Sequence, residues 1–124
     1  MDIRCINSLV LAYLGDAVYE EFIRIYLINK GINKVNDLQK SSIKFVSAKA
    51  QAFYLDKLIS KDTFNDLEIS IIKRARNSKS HASPKGCSVI EYKKATALEA
   101  LIGYLKLSNN EVRIKEIMKL IVEE

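Results

Sequence analysis

Two isolated carboxylates in apolar stretches are the first residues of the chain whose surroundings suggest chemistry. Asp16 is the only charged residue between Ser8 and Tyr19, and it directly follows Gly15. Glu99 is the only charged residue of the segment ATALEALIGYL. A carboxylate in an apolar helix is costly unless it is paired, hydrogen-bonded or bound to a metal. Two such carboxylates on two helices suit a hard divalent cation, which prefers oxygen ligands and keeps several waters.

A purely structural role for the same two carboxylates is the alternative. Each could cap a neighbouring helix or pair with a buried lysine or arginine, and such networks occur without any catalytic function. Small residues lie one helical turn away, Ala12 from Asp16 and Gly103 from Glu99. They allow backbones to approach and leave space for a ligand. Residue types and spacing alone leave both interpretations open.

The positive charge of the chain is concentrated in one segment. The net charge is +5, of which residues 72–94 carry +6 and the other 101 residues carry −1. Localised positive charge is expected of a protein that binds a polyanion, usually a nucleic acid. A solvated basic loop without a partner is the alternative. The charged residues of the segment are Lys73, Arg74, Arg76, Lys79, Lys85, Lys93 and Lys94, opposed only by Glu91.

Composition predicts a single globular domain over residues 1–124. Apolar residues make up 48% of 124 residues, with one proline and four glycines. The apolar runs are too short for a membrane span, and no secretory signal is visible, so a cytoplasmic location is expected. Cys5 and Cys87 are therefore expected as free thiols. A single histidine, His81, and the absence of a CxxC pattern argue against a zinc site.

The hydrophobic periodicity predicts an all-α fold, because no strand-like alternation of useful length appears. Residues of one buried stripe recur at helical spacing in each segment. The apolar positions predicted to face the core are Phe45, Ala48, Ala52, Leu55 and Ile59, then Phe64, Leu67 and Ile71, and finally Val112, Ile117, Met118 and Ile121. The first predicted elements are a helix over about 5–29 closed by Gly31, a short turn at Asp37–Lys40 capped by Asn36, and a helix over about 43–59. A helix from Thr63 to about Arg76, capped by Asp62, is predicted next, followed by a loop from Asn77 to Ser88. The last predicted elements are a helix over about 95–107 and a helix after Asn109.

Several motifs together resemble those of the ribonuclease III family. YLGDAV (residues 13–18) resembles the family signature, and ALEALIGYL (97–105) resembles its second acidic motif. KRARNSKS, SPKG and EYKKATALEALIGYL narrow the resemblance to Mini-ribonuclease III, the short bacterial branch that has the catalytic domain and no double-stranded-RNA-binding domain. The resemblance runs from about residue 7 to the end of the chain. It implies a helical endonuclease domain that forms a two-fold dimer.

The resemblance matches Asp16 and Glu99 to the two core catalytic acids. Larger family members carry further acids where this chain has Leu9, Ala12 and Thr96. The short branch shares these replacements, which implies fewer carboxylates and more waters on the metal. The implied cofactor is Mg²⁺ held by Asp16 and Glu99, which would activate a water and stabilise charge on the phosphate and the leaving 3′ oxygen. Metal-bound hydroxide needs no histidine base.

Two residues near the implied metal site are candidates for a supporting role. Glu20 lies one turn from Asp16 and is either an acid that supports the site or a plain surface residue. Thr96 stands where larger family members have an acid.

The resemblance also implies partners. Family members are homodimers in which signature helices pack across the two-fold axis, so that each of two active sites cuts one strand of an RNA duplex. A self-complementary interface suits the apolar surface of the first helix. The implied substrate is the paired stem of precursor 23S ribosomal RNA, and a ribosomal protein that presents it is a candidate partner. The interface candidates are Val10, Tyr13, Leu14 and Phe22, each of which could instead serve only the core; the candidate RNA contacts are Arg74, Arg76, Asn77, Ser78, Lys79 and Lys85.

Two other functions compete with an active nuclease. A catalytically silent ribonuclease III-like module could bind RNA during ribosome assembly, but it would have no need to keep both acids. A helical metal-binding or regulatory protein unrelated to RNA would leave the charge of residues 72–94 unexplained.

Overall fold

The structure of the protein is a computed structural model that describes residues 2–78 and 86–123. Within these two ranges the fold consists of six α-helices and one short 3₁₀ turn. No strand occurs in those two ranges, so the predicted all-α class is confirmed. The 3₁₀ turn is Ile3–Cys5, and the helices are α1 Ser8–Asn29, α2 Val35–Val46, α3 Ala48–Ser60, α4 Asp66–Arg76, α5 Val89–Leu107 and α6 Glu111–Val122.

Side-chain caps decide where most of the helices begin. Asn65 and Glu68 form a capping box at the start of α4, and Ser88 with Glu91 forms one at the start of α5. The predicted start of α4 at Thr63, capped by Asp62, is therefore wrong. Asp62 instead has φ +55, a left-handed turn conformation that cannot begin a helix. α5 likewise begins six residues before its predicted start, at Val89.

The junction between α2 and α3 also differs from the prediction. The predicted short turn is part of a 12-residue helix that begins after Lys34, not Asn36. The predicted helix over 43–59 is broken at Ser47, whose extended backbone ends α2 and whose hydroxyl caps α3 by accepting from the N–H of Ala50 at 3.1 Å. The apolar spacing continues across the break because both helices face the same core. Periodicity alone therefore does not reveal the break.

α5 is the central helix of the fold and packs mainly against α1, α3 and α4, with α6 at one side. It is buried on most of its surface, as are the inner residues of α1 such as Leu11, Tyr19 and Ile23. Leu67, Val112 and Ile59, which were expected to face the core, are exposed. In α6 the buried position is taken by Ile114 instead of Val112.

A largely buried ion pair joins the start of α6 to the start of α4. Arg113 donates to both carboxylate oxygens of Glu68 at 2.8 Å and to the carbonyl of Thr63 at 2.7 Å. Burial acts to raise the pKa of Glu68, but hydrogen bonds from Arg113 and from the backbone of Asn65 leave it below its usual value.

The structure also bears on the state of the two cysteines and on membrane-spanning helices. Cys5 and Cys87, both within the described ranges, form no disulfide, as predicted. None of the described helices is both long enough and apolar enough to cross a membrane.

Candidate active site

Asp16 on α1 and Glu99 on α5 come together because the two helices pack unusually closely. A Cβ placed on Gly15 would lie 1.7 Å from the carbonyl oxygen of Glu99, so no larger residue fits beside this backbone. The close approach brings the carboxyl groups of Asp16 and Glu99 within hydrogen-bonding reach of each other. The two acids that stood alone in the sequence thus form a pair.

The two carboxyl groups of the pair have different surroundings. Asp16 is exposed to solvent, although the helix around it is largely apolar. Glu99 is the desolvated member. Burial raises the pKa of Glu99 to about 9, and the hydrogen bond and charge of Asp16 and the charge of Glu20 add to that rise. The pair therefore requires a proton or a cation at neutral pH.

Gln51 on α3 is a third side chain of the site, and it was not among the residues predicted from the sequence. Its amide nitrogen donates to Glu99 Oε2 at 3.3 Å and to the carbonyl of Val46 at 3.1 Å. Only 1% of Gln51 is exposed. The sequence feature that could have indicated Gln51 is its position as a polar residue between two alanines, next to the apolar stripe that includes Ala52 and Leu55.

The donor set of the site fits a hydrated divalent cation. Two carboxyl groups meet at the surface, and the amide oxygen of Gln51 is, within residues 2–78 and 86–123, the only buried side-chain polar atom without a hydrogen-bond partner. The same ranges contain no group of three or more His, Cys, Asp or Glu residues arranged for a metal. Such a small oxygen-rich set suits an ion that keeps most of its waters, as Mg²⁺ does.

The two candidate supporting residues, Glu20 and Thr96, differ in how they relate to the pair. Glu20 pairs with Arg24 at 3.4 Å, and its negative charge also acts on Glu99. The hydroxyl of Thr96 donates to the carbonyl of Tyr92 in its own helix, at 3.0 Å. Glu20 is thus linked to the site by charge, whereas the hydrogen bond of Thr96 stays within α5.

The predicted RNA contacts that the structure describes lie at the end of α4, and one of them, Arg74, bonds to its own chain. Its guanidinium donates to Ser8 Oγ at 3.0 Å, to the carbonyl of Ile6 at 2.9 Å and to the carbonyl of Arg4. These bonds hold the N-terminal segment against α4 and use three of the five N–H donors of the guanidinium. Arg74 thus has a structural role in the chain, and its contact with RNA stays a prediction.

The remaining candidate RNA contacts follow Arg74 directly. Arg76 is in the last turn of α4, Asn77 is its C-cap, and the hydroxyl of Ser78 donates to the carbonyl of Arg74 at 3.0 Å. Lys79 and Lys85 lie outside the described residues. Through Arg74 the basic end of α4 contacts Ser8, which is eight residues from Asp16, or roughly 12 Å along α1.

Comparison with known proteins identifies the family. The family model "Ribonuclease III domain" matches residues 9–110. The chain is 47% identical to a Mini-ribonuclease 3 of Clostridium tetani, over 98% of this chain and 80% of that protein. It is 50% identical to a Mini-ribonuclease 3 of Brevibacillus brevis, over 91% and 83% of the two chains.

A solved structure agrees with this result. A crystal structure of a Fusobacterium nucleatum protein superposes with a TM-score of 0.89 at 40% identity, covering 100% of this chain and 99% of the other. The acid pair, the helical fold and the matched relatives all support membership of one family. The chain belongs to the Mini-ribonuclease 3 branch of the ribonuclease III family of double-stranded-RNA endoribonucleases.

Proposed function

We propose that this protein uses Mg²⁺, held by Asp16 and Glu99, to cleave the paired stem of precursor 23S ribosomal RNA in the cytoplasm. The observation that carries the proposal is the pairing of an exposed carboxyl group with a half-buried, desolvated one beside Gln51. A pair of this kind needs a positive charge to be stable when ionised. A bound divalent ion supplies an acidified water and a positive charge against the scissile phosphate.

The residues of the chain prepare this chemistry in two ways. The exposed position of Asp16 leaves the site open to the backbone of a duplex, whereas Glu99 is half-buried and desolvated. Because burial and the neighbouring Asp16 raise the pKa of Glu99, a cation bound by the pair would compete with a proton. Cation binding should therefore strengthen as the pH rises.

Positive charge at the end of α4 supports the choice of an RNA duplex as substrate. A-form RNA is recognised mainly by shape, through phosphates and 2′-hydroxyl groups. Arg76, Asn77 and Ser78, with Lys79 and Lys85, supply cations and hydrogen-bonding groups for such contacts. Arg74 is left out of this set because its guanidinium is bonded within the chain.

The outer face of α1 supports a homodimer in which the signature helices meet. Tyr13 is 84% exposed and Val10 is 56% exposed, although both are large apolar residues one turn apart. Exposed apolar side chains in such a stripe favour burial against a second copy. Phe22 is half-buried and packs against the core, which makes it a weaker interface candidate than Tyr13.

One experiment separates the proposed function from the alternatives. Purified protein is incubated with a short RNA duplex at low salt, once with Mg²⁺ and once with EDTA. Cleavage only with Mg²⁺ supports the proposal, and cleavage that persists in EDTA contradicts the role of the ion. Bound but intact RNA would indicate a silent binding module. Precursor 23S stems, with and without ribosomal proteins, then test the substrate and the candidate partner.

A further inference from the structure

We propose that Gln51 is a positioning residue that holds the carboxylate of Glu99 in the orientation needed to bind a divalent cation with Asp16. The inference rests on the proposed function of the Asp16–Glu99 pair as a cation site. It adds a residue from a third helix, so that α1, α3 and α5 each contribute one side chain.

The orientation of the Gln51 amide follows from its partners. Val46 is the last residue of α2, so its carbonyl has no partner within the helix and can only accept a hydrogen bond. The NH₂ group must therefore face Val46, at 3.1 Å, and its second hydrogen is available to Glu99 Oε2, at 3.3 Å. The amide thereby joins a fixed backbone carbonyl to one oxygen of the carboxyl group.

The break between α2 and α3 makes this bridge rigid. Ser47 ends α2 and caps α3, which places the carbonyl of Val46 one turn from Gln51. The end of α2 is held from the other side by Tyr19, whose hydroxyl donates to the carbonyl of Phe45 at 2.7 Å. Because Gln51 is buried, its side chain has little freedom to turn away.

The free oxygen of the same amide distinguishes a site residue from a packing residue. A buried acceptor without a donor costs roughly 1–3 kcal/mol, so a side chain kept only for packing would favour an apolar residue. Gln51 Oε1 is such an acceptor. A polar side chain kept at this cost beside Glu99 points to a role for the amide beyond packing.

The first test compares Gln51→Leu with Gln39→Leu, the same substitution at the only other glutamine of the chain, which is exposed on α2. Mn²⁺ affinity is measured by calorimetry, thermal melting is followed in EDTA, and cleavage is titrated with Mg²⁺. Loss of a residue that orients a metal ligand typically weakens metal binding 10–100-fold. We expect about a ten-fold higher Kd for Mn²⁺ in Gln51→Leu, a matching rise in the Mg²⁺ needed for half-maximal cleavage, and no change in Gln39→Leu.

A second measurement needs no substitution at Gln51. Labelling with ¹⁵N-glutamine gives a spectrum with only two side-chain amides, from Gln39 and Gln51, and Gln39→Leu assigns them. Addition of Mg²⁺ should shift the Gln51 signal and leave the Gln39 signal in place. This measurement keeps the inference testable if Gln51→Leu does not fold.

The outcomes separate the inference from the function on which it rests. If the parent protein binds Mn²⁺ and cleaves duplex RNA, but Gln51→Leu folds and binds Mn²⁺ equally well, Gln51 is not a positioning residue and the proposed function stands. An unmoved Gln51 signal at saturating Mg²⁺ has the same meaning. If the parent binds neither Mn²⁺ nor Mg²⁺, the proposed function and the inference both fail.

Discussion

Gly15 and Gly103 meet where α1 crosses α5, and each stands against the backbone of the opposite helix. A Cβ on Gly15 would lie 1.7 Å from the carbonyl oxygen of Glu99, and a Cβ on Gly103 would lie 1.9 Å from that of Leu11. Both distances are far below any real carbon–oxygen contact. The two glycines therefore set the separation of the helices that carry Asp16 and Glu99.

Gly15→Ala should separate the two helices and lower both stability and activity. Overpacking a core typically costs 1–3 kcal/mol, and we expect about 3 kcal/mol or more here because the contacted atoms are backbone. The control is Gly31→Ala, where a Cβ meets nothing within 4 Å and only the left-handed φ of +97 is unfavourable. It should cost about 1–2 kcal/mol and leave cleavage unchanged. Chemical denaturation and a cleavage assay measure both, and a Gly15→Ala protein as stable and active as the parent would refute the packing argument.

Asp16→Asn should abolish or nearly abolish cleavage in Mg²⁺, because the cation loses one of its two carboxylates. RNA binding and dimer formation should be retained. In EDTA above about pH 9, where both carboxyl groups are expected to be ionised, the variant should melt at least as high as the parent, since Glu99 no longer faces a negative charge. Asp37→Asn, an exposed acid on α2, is the matched control and should behave as the parent. A clearly lowered melting temperature with cleavage retained would mean that Asp16 is structural.

The raised pKa of Glu99 predicts a pH dependence of stability in the absence of metal. Between the ordinary value of 4.5 and about 9, the folded protein keeps a proton that the unfolded chain has lost. Stability should therefore fall as pH rises through this window, by at most about 1.4 kcal/mol per pH unit, and level off above it. Melting in EDTA compares the parent with Glu99→Gln, which lacks the titrating group. Parallel curves for the two proteins would contradict the prediction.

Removing Arg76 at the end of α4 and two lysines that follow it in the sequence should weaken duplex binding and its salt dependence. The triple variant Arg76→Ala, Lys79→Ala and Lys85→Ala should lower the log–log salt slope by roughly 0.7–0.9 for each of these cations that binds a phosphate. Arg74→Ala should instead lower the melting temperature with little change in slope, because its guanidinium binds Ser8 and the carbonyl of Ile6. Binding titrations at several salt concentrations decide this, and an unchanged slope in the triple variant would place the RNA surface elsewhere.

Tyr13→Asp should yield folded monomers, since a dimer interface would bury an unpaired charge. Phe22→Asp should instead reduce folding, because Phe22 packs against the core of its own chain. Sedimentation measures association, and circular dichroism measures folding. A Tyr13→Asp protein that remains a dimer would move the interface away from this face of α1. A parent protein that is a fully active monomer would rule out the two-fold arrangement.

The sequence by itself determined the helical class and the two acids. Asp16 and Glu99 stand out locally, each as one charge in an apolar helix with a glycine nearby, and helical periodicity depends on neighbours a few residues away. The capping boxes at Asn65 and Ser88 were local signals too, and were readable without the structure.

Only the tertiary structure decided which groups meet across helices. Asp16 and Glu99 are 83 positions apart, Gln51 reaches Glu99 across 48, and Arg74 reaches Ser8 across 66. Such contacts depend on how closely the helices pack, which Gly15 and Gly103 control, and on the break at Ser47. Burial also depends on all the surrounding elements at once, which is why Asp16 is exposed and Glu99 is not. A local sequence pattern does not determine these distances between helices, because they are set by the packing energy of the whole core.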